Sequence, residues 1–190
     1  MCVAAVLYGE GPTLAELRKM DKINPHGGGL GWVYEGDTVV TYAKGLTPEE
    51  IYALLGKLPR PTLLHFRYAT HGPKTTAQCH PFPLGHWALT AKGGYGVAPA
   101  VLVHNGVWQS HHKYKPAWIK WGDVSDTAMA AYMAEADEAI LDDVDWSTVV
   151  GRAKDGQMVV TRRKRWFERG PDWYSNLTWA SNSVEAYTRK

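Results

Sequence analysis

Length, composition and charge are those of an ordinary soluble protein and exclude several classes. The chain has 190 residues, enough for one well-packed domain, and 45% are hydrophobic and 21% charged. Its net charge of +2 is too small to indicate an obligatory nucleic-acid partner. No stretch approaches the roughly 20 apolar residues needed to cross a bilayer, and the start lacks a secretory leader. We therefore expect a cytoplasmic protein with reduced cysteines.

Strands outnumber helices among the predicted elements, and the two types are mixed along the chain. Strands are predicted at 2–8, 30–33, 38–44, 61–66, 87–92, 101–104, 158–163 and 172–176. Helices are predicted at 13–22, 47–56 and 125–136, each with a Thr or Ser at its start. Residues 24–29, which include three consecutive glycines, are predicted to be irregular. This order favours one α+β domain over residues 1–190.

Cys2 directly follows the initiator Met1 and has two interpretations. The first is a small hydrophobic side chain at the start of a buried strand. The second is a nucleophile. If Met1 is removed, Cys2 carries a free α-amino group with a pKa of about 7.7–8.0, so a thiol and a base belong to one residue. The position alone does not decide between them.

Three downstream features also have a structural and a chemical interpretation. Arg67, near the end of a predicted strand, either forms a structural ion pair or holds a substrate carboxylate. Asn105-Gly106 is either a hairpin turn or an oxyanion hole made of the Asn105 amide and the Gly106 N–H. Asp126 is either an acid at a helix start or the partner of a cation. Together with a thiol, the chemical interpretations match one ligand, free L-glutamine.

These motifs resemble those of the class II glutamine amidotransferases, the N-terminal-nucleophile (Ntn) hydrolases that begin with cysteine. The similarity runs from Cys2 to about residue 136 and includes HFRYATHG at 65–72, HPF at 80–82, HNG at 104–106 and SDT at 125–127. It implies a four-layer αββα sandwich of two mainly antiparallel sheets. It also implies hydrolysis of L-glutamine to glutamate and ammonia through a γ-glutamyl thioester, with no cofactor and no metal.

The resemblance implies a role for each matching residue. Cys2 is the nucleophile, with its own amine as general base, and Asn105 and Gly106 form the oxyanion hole. Arg67 binds the α-carboxylate of glutamine, and Asp126 binds its α-ammonium group. The remaining side chains line or brace the pocket: Thr70, His71 and His80.

Two features depart from the family pattern. Residues 24–29 read NPHGGG, whereas many relatives have an acidic residue there, in a loop that closes over glutamine. Cys79 stands where relatives have Asn or another small residue, and we expect it to be a neighbour of the site and not a second nucleophile.

The stretch after position 136 is too short for a synthetase domain. We therefore expect a separate synthetase to accept the ammonia, with a free glutaminase as the other possibility.

Three other functions remain open at this point. One is an Ntn-type cysteine hydrolase that cleaves another amide, such as an acyl-amino acid. The second is a non-catalytic interaction module with the same fold. The third is a metal site built from the eight His and two Cys, although these lack the CxxC or HExxH spacing. Because Arg67 and Asp126 suit the two charges of a free amino acid, they favour glutamine.

Overall fold

The computed structural model describes residues 2–90, 92–114, 116–120, 122–144 and 146–180. The strands are β1 (Val3–Leu7), β2 (Gly28–Trp32), β3 (Val40–Leu46), β4 (Thr62–Phe66), β5 (Phe82–Pro83), β6 (Gly94–Ala98), β7 (Ala100–Asn105), β8 (Ser147–Lys154), β9 (Gln157–Arg163), β10 (Phe167–Arg169) and β11 (Asp172–Tyr174). The helices are α1 (Leu14–Ile23), α2 (Pro48–Leu55), α3 (Trp87–Thr90), α4 (Asp126–Met133) and α5 (Ile140–Asp143), with 3-10 turns at Thr76–Gln78 and Gln109–Tyr114. Within these ranges, no helix combines the length and the apolar composition that crossing a bilayer requires.

The fold is mixed α+β with two antiparallel sheets. Seven strands lie in the order β10-β11-β1-β4-β2-β3-β6, and four lie in the order β5-β7-β8-β9. The pairings recorded for the described strands are all antiparallel. Cys2 precedes β1, which lies inside the larger sheet, and Asn105 ends β7, which lies inside the smaller one. An inner strand of each sheet therefore carries one of the predicted catalytic residues.

Three apolar clusters relate the helices to the sheets. The first packs alternate residues of β1, such as Val3 and Leu7, against α1 and α2. The second joins the opposite face of β1, including Val6, to Val103 of β7 and so fills the space between the two sheets. The third packs β7 and β8 against α4. Because side chains alternate along a strand, β1 and β7 contribute to a core on both faces, which explains their continuous apolar sequences.

The predicted helix starts are confirmed by their caps. Thr13 accepts a hydrogen bond from the backbone N–H of Glu16, whose carboxylate accepts one from the backbone N–H of Thr13. Thr47 and Glu50 form the same reciprocal pair at the start of α2. Such capping boxes satisfy two backbone N–H groups that the helix leaves unbonded.

Two predictions about local structure are wrong. Residues 87–92 were expected to form a strand, but Trp87–Thr90 is a short helix, because a short apolar run has no clear period. Residues 28 and 29 were expected to be irregular, but they begin the buried strand β2. The structure also contains β6, β8 and β10, which the sequence patterns did not indicate.

Candidate active site

The thiol of Cys2 is buried at the start of β1, where 8% of the residue remains exposed. The backbone N–H of Tyr68 donates a hydrogen bond to its sulfur at 3.2 Å. Burial raises the pKa of the Cys2 thiol, and this hydrogen bond opposes the rise because it stabilises the thiolate. Both cysteines of the chain are free thiols. The predicted removal of Met1 concerns a residue outside the described ranges.

One small cavity collects seven of the eight predicted site residues. These residues are Cys2, Arg67, Thr70, His71, His80, Gly106 and Asp126. The eighth, Asn105, is buried and directly precedes Gly106 in the chain. The cavity has a volume of about 10 Å³, which is room for about one water molecule. Residues in or next to β1, β4, β7 and α4 therefore line one cavity.

Arg67 follows β4 and is a buried cation, with only 2% of the residue exposed. Its guanidinium donates to the carbonyl oxygens of Pro73 at 2.7 Å and of His71 at 2.9 Å. Among the described residues, no carboxylate forms an ion pair with it. Burial lowers the pKa of Arg67, whereas Cys79, Cys2 and Asp126 act in the opposite direction. The structural ion pair that the sequence allowed is thus not formed within the described part of the chain.

Asp126 is the first residue of α4, and it is buried like Arg67. The side chain of Ser125 caps the helix by accepting from the N–H of Ala128, so Asp126 is not needed for that purpose. Its Oδ2 accepts a hydrogen bond from the backbone N–H of Trp108 at 2.7 Å. The carboxylate therefore faces the loop after β7 and lines the cavity beside Cys2.

Asn105 and Gly106 do not form a hairpin turn. β7 ends at Asn105, and its partner there is Ser147 of β8, which is far along the chain. The side-chain amide of Asn105 donates to the hydroxyl of Ser175 at 3.0 Å. An Asn amide has two N–H donors, so this bond orients the group and leaves a second donor. That arrangement suits an oxyanion hole.

Sequence reasoning missed two residues that hold the segment around Cys2 in place. The Ser175 hydroxyl also accepts from the backbone N–H of Ala4 at 2.9 Å, and the Asn176 amide donates to the carbonyl oxygen of Cys2 at 2.7 Å. Both follow β11, which pairs with β1. The sequence WYSN at 173–176 is a polar end to a short strand, but nothing in its spacing indicates a link to Cys2.

Cys79 is buried beside the site but does not line the cavity. Its thiol donates to the carbonyl oxygen of His26 at 3.2 Å, and burial raises its pKa. A side chain at Gly27 would overlap its sulfur. Cys79 thus packs against the glycine segment that precedes and begins β2.

Comparisons with known proteins and a search for metal ligands give no further assignment. Neither a protein-family model nor a curated protein matches the sequence. In the described part of the chain, no group of three or more His, Cys, Asp or Glu side chains is arranged to hold a metal ion.

Proposed function

We propose that the protein hydrolyses L-glutamine to glutamate and ammonia through a γ-glutamyl thioester on Cys2. One observation carries the proposal: a single cavity brings together a buried thiol, a buried guanidinium without a carboxylate partner among the described residues, and a buried carboxylate. Burying charges costs free energy unless they are paired. A zwitterionic amino acid with a side-chain amide supplies a partner for each of them.

The chemistry follows from the groups present. The Cys2 sulfur attacks the γ-carbonyl carbon, and the oxyanion that forms accepts hydrogen bonds from the Asn105 amide and the Gly106 N–H. Ammonia leaves as the thioester forms, and water then releases glutamate. Once Met1 is removed, the α-amino group of Cys2 accepts the thiol proton and returns it to the leaving nitrogen, since its ordinary pKa is about 7.7–8.0.

Substrate recognition rests on the two charged side chains. Arg67 presents a planar fork of donors that suits the α-carboxylate, and Asp126 suits the α-ammonium group. Because both are buried, each would be screened less by solvent than a surface charge. Thr70, His71 and His80 also line the cavity.

The size of the cavity adds a requirement. A volume of about 10 Å³ does not admit an amino acid, so we propose that residues 68–73, of which 68–71 line the cavity, move when glutamine binds. The carbonyl groups that now accept from Arg67 belong to His71 and Pro73 of this same segment. A substrate carboxylate would replace these carbonyls and so couple its binding to the movement.

A much wider groove of about 870 Å³ beside α1 and α2 is lined by neither Cys nor His, and we assign no chemistry to it.

The proposed activity is that of the class II glutamine amidotransferases, whose motifs this sequence resembles. The order of the three apolar clusters, from α1 and α2 through the two sheets to α4, supports a four-layer αββα Ntn sandwich. We infer that the protein is cytoplasmic and that its ammonia passes to a separate synthetase.

A substrate panel tests this function. Purified protein with Met1 removed is incubated with L-glutamine, D-glutamine, L-asparagine and a series of N-acyl amino acids, and amine or ammonia release is measured. We expect turnover of L-glutamine above all others, and none for Cys2→Ala. Preferred cleavage of an N-acyl amino acid would indicate a different amidase, and no turnover of any amide would indicate a binding module.

A further inference from the structure

Two histidine side chains, and not a strand, hold the backbone of His104 on one edge of β7. Among the described residues, β5 (Phe82–Pro83) pairs with β7 at Leu102 and Val101, so it ends before His104. The N–H and C=O of one strand residue point to the same edge. At His104 the N–H donates to Nδ1 of His80 at 3.2 Å, and the C=O lies 3.1 Å from Nε2 of His65. The two imidazoles therefore take the place of a neighbouring strand residue.

The partners fix the proton positions in both rings. A carbonyl oxygen can only accept, so Nε2 of His65 carries a proton, and a backbone N–H can only donate, so Nδ1 of His80 carries none. The rings stack with centroids 3.7 Å apart and planes within 4°. Burial lowers the pKa of His65 to about 3 and that of His80 well below its ordinary value. Both rings are thus neutral at physiological pH, which permits them to stack.

The glycine segment makes room for this pair. Gly29 of β2 lies opposite His65 of β4, and a Cβ at Gly29 would overlap the carbonyl oxygen of His80. The backbone of His80 therefore rests directly on β2. This close approach explains in physical terms why position 29 is a glycine. The explanation does not require that Gly29 belong to a loop that closes over the substrate.

The histidine pair connects with the proposed oxyanion hole and with the ammonium site. His104 directly precedes Asn105, and its own Nδ1 lies 3.0 Å from the hydroxyl of Thr127, which directly follows Asp126. We propose that His65 and His80 are positioning residues that hold the backbone of residues 104–106, so that Asn105 and Gly106 present their N–H groups to the oxyanion. The inference rests on the proposed glutamine hydrolysis. The two contacts of His65 and His80 with the backbone of His104, here called the histidine clamp, can be measured without it.

Near-isosteric substitutions separate positioning from packing. His80→Asn keeps an acceptor close to the position of Nδ1, whereas His80→Leu fills a similar volume without one. For His65, Gln keeps a donor and Met does not. His86→Leu, at an exposed histidine outside the site, is the control. The measurements are kcat and KM for glutamine, inhibition by L-glutamate and by its γ-semialdehyde, and hydrogen exchange at residues 104–106.

The expected result is specific to the oxyanion. His80→Leu lowers kcat at least about tenfold, because a displaced oxyanion donor loses much of its effect of about 10²–10³. It weakens inhibition by the semialdehyde, which forms a tetrahedral adduct with the thiol, by a similar factor. Inhibition by glutamate changes by less than about threefold. Its amides at 104–106 exchange faster, and His80→Asn recovers most of both effects. If His80→Leu does not fold, His65→Met against His65→Gln gives the same comparison.

Other results overturn the inference. Equal behaviour of the Leu and Asn variants, in exchange and in kcat, would show that the acceptor at Nδ1 is not used. If His80→Leu weakened inhibition by glutamate and by the semialdehyde equally, His80 would have a general packing role. If the wild-type protein does not hydrolyse glutamine, the proposed function fails. The exchange rates at residues 104–106 then decide separately whether the clamp exists.

Discussion

The side-chain amide of Asn105 donates a hydrogen bond to the hydroxyl of Ser175 at 3.0 Å, although 70 residues separate them in the chain. The same hydroxyl accepts from the backbone N–H of Ala4, two residues after the proposed nucleophile Cys2. One oxygen atom thus links β1, which directly follows Cys2, to the end of β7, which carries the proposed oxyanion donor. We therefore expect the spacing between the Cys2 sulfur and the proposed oxyanion hole to depend on this bridge.

Ser175→Ala removes the acceptor shared by Asn105 and Ala4. We expect kcat for glutamine to fall about 10- to 100-fold with little change in KM, because a misplaced donor mainly affects the transition state. Two buried donors also lose their partner, which costs roughly 1–3 kcal/mol each in the free energy of unfolding. Steady-state kinetics and chemical denaturation measure the two effects. Ser110→Ala, outside the site, is the control, and an equal loss of activity there would contradict the assignment.

Asp126→Asn tests recognition of the α-ammonium group. An Asn side chain can still accept from the N–H of Trp108, so the fold keeps this bond while the charge is removed. We expect KM for L-glutamine to rise at least about tenfold, since a buried charge pair is lost. Glutaramate, which is glutamine without its amino group, should be affected much less. Equal losses for the two substrates would mean that Asp126 does not contact the ammonium group.

Gly29→Ala tests the close approach of His80 to β2. A Cβ at this position would overlap the His80 carbonyl oxygen, and relief of such an overlap in a packed core typically costs about 1–3 kcal/mol. We expect that loss in the free energy of unfolding, together with a lower kcat. Gly56→Ala is the matched control, because a Cβ there meets no atom within 4 Å. Equal stability of the two variants would contradict the contact.

Stability should fall in mild acid because of the buried histidines. The pKa of His65 is about 3 in the folded protein and about 6.5 in the unfolded chain. Below pH 6.5 the unfolded chain therefore binds a proton that folded His65 does not, and the free energy of unfolding decreases as pH falls towards 3. One such group accounts for about 2 kcal/mol between pH 7.5 and 5.0.

Denaturation of the wild-type protein and His65→Gln at pH 7.5, 6.0 and 5.0 measures this contribution. Gln does not titrate, so the variant should lose less stability over the range. Parallel losses in the two proteins would show that His65 does not titrate below its ordinary pKa.

Local signals in the sequence predicted the parts of the fold that depend on neighbours in the chain. The caps at Thr13, Thr47 and Ser125 set helix starts through bonds within three residues. Gly28 and Gly29 form a strand because β3, β4 and the backbone of His80 surround them. No pattern within the segment carries that information.

The residues of the candidate site also differ in whether local sequence indicates their role. Arg67, Asn105, Gly106 and Asp126 stand in compact motifs, and their residue types suit the two charges and the amide of one ligand. Ser175 acts through partners more than 60 residues away, so its role requires the pairing of β11 with β1. Sequence reasoning can name the groups that do the chemistry more readily than the groups that hold them.

Detection of the thioester tests the central claim most directly. Protein with Met1 removed is mixed with L-glutamine, quenched in acid during turnover, digested and examined by mass spectrometry. We predict a γ-glutamyl group on the peptide that begins with Cys2, removable by hydroxylamine, in the wild-type protein and in Cys79→Ala, and no such adduct in Cys2→Ala. Release of ammonia by Cys2→Ala at a rate near that of the wild-type protein, or an adduct on Cys79 alone, would contradict Cys2 as the nucleophile.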